Sequence, residues 1–149
     1  MALFKLLHIL AVVVWVGGMF FAYMVLRPSA AGVLKQPERL RLWDSVFGRF
    51  FHWVWLAILL LFASGLYMVY QAGGIGRVPS YVHLMLLLGI VMLLLFVYIF
   101  FFCYVRFNLL VDEKNWTPAG ALLATMRKLI AVNLVIGLLT IAIAVVGRA

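Results

Sequence analysis

Apolar residues fall into four long runs, separated by three short stretches where charge, glycine or proline collect. The first run covers about 3–26 and meets Arg27-Pro28. The second covers about 50–70 and is followed by Gln71-Ala72-Gly73-Gly74-Ile75-Gly76. The third opens after Pro79-Ser80 and covers about 81–106, and the fourth covers about 129–146. Each approaches the roughly 20 residues that a helix needs to cross about 30 Å of hydrocarbon. Inside lipid the backbone must satisfy its own hydrogen bonds, so such runs predict helices. The expected fold is all-α, an integral membrane four-helix up-down bundle forming one domain over 1–149.

Finer signals mark the edges. Charge and proline at Arg27-Pro28 are expected to end the first span. Between Lys35 and Arg49, Leu40, Trp43 and Phe47 recur on one helical face, and Pro37 suits a first turn. This predicts a cytosolic amphipathic helix leading into span two. The third span is long enough to tilt or protrude. Thr117-Pro118 predicts an N-cap and first turn ahead of the last apolar run. The N-terminal run is longer than a signal-peptide core and lacks an Ala-x-Ala site, so it reads as a retained span.

Composition narrows the function. With 68% hydrophobic and 11% charged residues, no soluble domain of useful size remains. The single cysteine, Cys103, excludes an internal disulfide and any multi-thiolate metal site. The net charge of +8 is a topology signal, because its residues are spread over loops. No nucleic-acid partner is expected. Nine of the twelve basic residues lie in the first and third connections, leaving only Lys5, Arg77 and Arg148 at the other end. By the positive-inside rule both termini are periplasmic in a bacterial inner membrane.

Two histidines carry the candidate chemistry. His8 and His83 lie a turn or two inside spans one and three, which enter the membrane from the same side. A titratable ring there needs a partner. Matched depth suits a bis-histidine haem b, with six-coordinate iron fitted for electron transfer, or else a metal ion such as copper. Trp15, seven residues after His8, shares its face and is placed to wall a porphyrin edge. Arg77, near the same end, is placed to pair with propionates. His52 lies among Phe50, Phe51, Trp53 and Trp55 at the opposite interface, about 20 Å away by helix rise. It is a candidate for a quinone or second haem site.

Other features read as packing. Asn133, Gly137, Thr140 and Ala144 make a small polar stripe suited to close helix contact. Seven methionines invite Cu(I), yet they form no dense motif, and Met85 faces away from His83. No paired carboxylates serve acid–base work.

The run Leu7-His8-Ile9 with Trp15-Val16-Gly17-Gly18 and Phe20-Phe21 resembles the first helix of the CopD copper-resistance family. It also resembles the related HemJ-type protoporphyrinogen IX oxidases. Ala63-Ser64-Gly65-Leu66 and Tyr81-Val82-His83 fit the same four-helix plan. The HemJ resemblance implies a haem b protein oxidising a porphyrinogen, with His8 and His83 as the histidines of interest and electrons passing towards quinone or another respiratory component. Met85 stands where the HemJ pattern has a lysine. The CopD resemblance implies copper transport or copper tolerance. The partners expected are membrane lipid, a lipophilic donor or quinone, and a second copy in a homo-oligomer.

Overall fold

A computed structural model describes residues 1–149 as four long helices joined by short turns. They are α1 (Ala2–Val33), α2 (Gln36–Gln71), α3 (Ser80–Asp112) and α4 (Trp116–Arg148), all long and apolar enough to cross a membrane. The protein is thus an all-helical, multi-pass four-helix bundle. α1 packs along α2 and α3 along α4, and α4 then joins the two hairpins by lying against both α1 and α2.

The helices outrun the apolar stretches that predicted them. α2 has 36 residues, or about 54 Å at 1.5 Å per residue, against about 30 Å of hydrocarbon. The amphipathic segment and span two are one unbroken helix, in which Leu40, Trp43 and Phe47 share a face. All three side chains are buried. That face continues through Phe51, Val54 and Ala57 into the membrane. At this end the core is aromatic: Phe47 stacks on Phe51 at 5.0 Å and meets Phe107 edge-on at 6.2 Å. The Asp44 carboxylate is tied to α3, accepting a 2.8 Å hydrogen bond from Asn108 Nδ2.

Pro28 does not end the first helix. The turn Phe21–Leu26 is a π-helix, in which the Arg27 amide donates to Ala22, five residues back. In that register the Tyr23 carbonyl faces residue 28, and proline has no amide to offer. Arg27 Nε donates to this carbonyl instead, at 3.1 Å. With the carbonyl satisfied, the helix runs on to Val33. A second π-turn, Ile99–Tyr104, occurs in α3. There the Tyr104 hydroxyl lies 2.9 Å from where a Cβ on Gly48 would stand, so α2 admits this ring only at a glycine.

The connections are equally local. Gly73 and Gly74 both take φ near +98° to +99°, which suits glycine, and lead into the short 3-10 turn Ile75–Arg77. The last helix begins at Trp116 with Asn115 at its N-cap position, two residues before the expected Thr117 cap, and Thr117 makes no capping bond. Outside the core, residues such as Leu3, Leu59, Leu87, Leu94 and Val135 are exposed on every helix. So large an apolar surface belongs against lipid.

Candidate functional site

His8 is the histidine that the bundle encloses. It shares an inward stripe with Phe4, Ala11, Trp15 and Met19, of which Ala11, Trp15 and Met19 are buried. Its partners come from α2: Nδ1 lies 3.1 Å from the Leu61 carbonyl and 3.1 Å from Ser64 Oγ. A carbonyl only accepts, so the proton resides on Nδ1. The Ser64 hydroxyl donates its own hydrogen to Leu60 at 2.5 Å, leaving its lone pairs for His8. Nε2 is left as a free lone-pair donor with the ring orientation locked, as a metal-binding imidazole requires.

Gly65 makes room for this ring. A Cβ there would stand 3.1 Å from His8 Cε1. One turn nearer the N-terminus, Phe4 stacks on Tyr67 at 3.9 Å and closes that side of the α1–α2 contact.

The structure does not bring His8 and His83 together. His83 is exposed, with Nδ1 3.2 Å from the Pro79 carbonyl of its own helix. It lies on the outward stripe of Leu87, Ile90 and Leu94, all exposed, while Gly89, Met92 and Phe96 face the interior from the opposite side. A haem bridged by both rings does not fit the interior of one chain. Trp15 lies deeper in the core: it is 1% exposed and meets Phe96 edge-on at 6.4 Å. It is a packing residue joining α1 to α3.

Arg77 sits in the 3-10 turn with its side chain folded over Gly73, where a Cβ would meet Arg77 Cδ at 2.7 Å. His52 is exposed on α2, its Nδ1 bonded to the Gly48 carbonyl one turn back. No three of the histidine, cysteine, aspartate and glutamate side chains converge on one point. The buried methionines Met19, Met92 and Met126 fill the core. In the polar stripe of α4, Asn133 Nδ2 donates to Met92 O at 3.3 Å, and Gly137 admits Val16 and Met92.

The seat of His8 on Leu61, Ser64 and Gly65 was partly legible. Ser64 and Gly65 stand in the 63–66 stretch that fits the four-helix plan, but nothing in the order of residues says which histidine they serve. Missed entirely was the convergence of Arg27, Arg39 and Arg127 on one cavity, because each belongs to a different helix.

Comparison with known proteins gives one informative result. The family model described as CopD, copper resistance protein D, matches residues 44–147, from within α2 to near the end of α4. His8, on α1, lies outside the matched stretch. The chain matches no curated protein and no solved structure. By this match over most of its length, the four-helix membrane chain belongs to the copper resistance protein D family.

Proposed function

We propose that the protein handles copper at a bacterial inner membrane, as a transport or tolerance factor, and that His8 Nε2 is its first donor to Cu(I). The observation that carries this reading is the Nδ1 lock, which holds the half-buried ring in place and leaves its Nε2 unprotonated. Imidazole suits copper, and an outer hydrogen-bond partner that fixes the ring raises its basicity. Membership in a family described by copper resistance favours copper as the metal.

Cu(I) titration of purified protein against a competing chelator tests this. Wild type is expected to bind, His8→Ala to lose binding, and Ser64→Ala to bind about tenfold more weakly. Unchanged affinity in His8→Ala rejects the assignment. The same sample answers the haem b reading. A sharp reduced α-band that vanishes in His8→Ala would put haem at this nitrogen, with quinone-linked electron transfer as its function.

The basic residues at the end away from the termini support a cytosolic placement of that end. His8 then meets copper from the periplasmic side. A C-terminal alkaline phosphatase fusion is expected to be active and a C-terminal green fluorescent protein fusion dark. The reverse result places His8 on the cytosolic side.

A further inference from the structure

At the end of the bundle away from both termini, α1, α2 and α4 part around a cavity of about 510 Å³. Each helix contributes one arginine to its wall: Arg27, Arg39 and Arg127. No aspartate or glutamate lines it. Three guanidinium groups around one volume repel each other, and a shared anion reverses the sign of that interaction. A copper cation is excluded for the same reason, so this cavity does different work from the His8 nitrogen.

Two details prepare the cavity. Arg27 is half-buried and pinned by its Nε bond to Tyr23 O, and its guanidinium lies 4.5 Å from the Tyr23 ring centre. The π-turn thus fixes where this charge is held, with its terminal N–H groups unspent. Arg39 is also half-buried. Guanidinium forks match the oxygens of a phosphate.

Most of the remaining lining is apolar, with Leu40, Trp43, Phe47 and Ile130 on its inner side and Gln36 and Thr117 as further polar side chains. A free inorganic anion leaves that wall uncovered, whereas an amphiphile uses both parts. Depth agrees. Arg27 directly follows Leu26 at the end of the first apolar run, and Arg127 stands two residues before Leu129 at the start of the last. Both therefore lie at the polar boundary, the level of lipid phosphates.

We propose that this cavity binds an acidic phospholipid. Its phosphate is held by Arg27, Arg39 and Arg127, and part of an acyl chain lies along Trp43, Phe47 and Ile130. Basic recesses between membrane helices take anionic head groups by this combination of charge and apolar wall.

The test uses delipidated wild-type protein in detergent, with bound lipid read by native mass spectrometry and by the unfolding midpoint. Phosphatidylglycerol is expected to bind and raise the midpoint, with phosphatidylcholine and inorganic phosphate doing neither. The double variant Arg39→Gln, Arg127→Gln is expected to bind phosphatidylglycerol about thirtyfold more weakly. Arg49→Gln with Arg106→Gln removes the same charge from the same end outside this cavity, and is expected to leave affinity unchanged. Equal loss in both double variants overturns the site in favour of general surface attraction. Inorganic phosphate that binds alone and displaces the lipid overturns the lipid in favour of a free anion. Wild type showing no preference for phosphatidylglycerol over phosphatidylcholine overturns the proposal whether or not the variants fold.

Discussion

Replacing Trp15 by alanine is expected to destabilise the bundle by about 3–5 kcal/mol, the range for removing a fully enclosed large aromatic. Trp15 is 1% exposed and carries α1 onto α3, edge-on to Phe96. Phe96 in turn meets Phe51 at 5.3 Å and Trp55 at 4.9 Å, both from α2. Removing one indole therefore loosens a contact among three helices. Lipid tails are as apolar as the lost side chain, so no hydrophobic drive between helices compensates, and packing carries the cost. Trp53→Ala is the matched control, since Trp53 is 61% exposed on the lipid face. The midpoint of unfolding of purified protein in mixed micelles should fall sharply for Trp15→Ala and hardly at all for Trp53→Ala. Equal shifts would show that the α1–α3 contact does not hold the bundle together.

Enlarging Gly65 is expected to weaken Cu(I) binding without replacing His8. The imidazole leans on α2 so closely that even a Cβ at this position would stand 3.1 Å from Cε1. Alanine asks the ring to yield by a few tenths of an ångström and should weaken binding only modestly. Leucine occupies the space itself, swings the ring off Leu61 O and Ser64 Oγ, and frees the proton to move between the two nitrogens. Affinity should fall in the order wild type, Gly65→Ala, Gly65→Leu, by about 10–100-fold at the end of the series. Secondary structure should be retained, checked by circular dichroism. A Gly65→Leu protein that binds Cu(I) as tightly as wild type would mean that the Nδ1 lock has no part in the site.

Much of the architecture is readable in the order of residues. Four apolar runs announced four helices, and Leu40, Trp43 and Phe47 correctly marked the buried face of α2's extension. Pro28 misled, because the rule that proline ends a helix assumes the α register. A π-turn, with Arg27 Nε filling the gap, changes which carbonyl goes unpaired. The expectation that His8 and His83 share a depth came from helix rise, and depth says nothing about direction.

Direction is where the order of residues gives out. On α3 the outward stripe of Leu87, Ile90 and Leu94 is as apolar as the inward one of Gly89, Met92 and Phe96. A helix hydrophobic all round carries no moment to orient it, and lipid accepts either face. His83 therefore turned outward and His8 inward for reasons that lie in neighbouring helices: the Ser64–Gly65 seat on α2 for one, its absence for the other. The grouping of three arginines from three helices has the same origin. The bilayer's demand that every backbone amide be satisfied within its own segment made the helices and their number legible from composition and spacing. Their rotation, and hence which nitrogen and which charges share a space, came only from side chains meeting across the bundle.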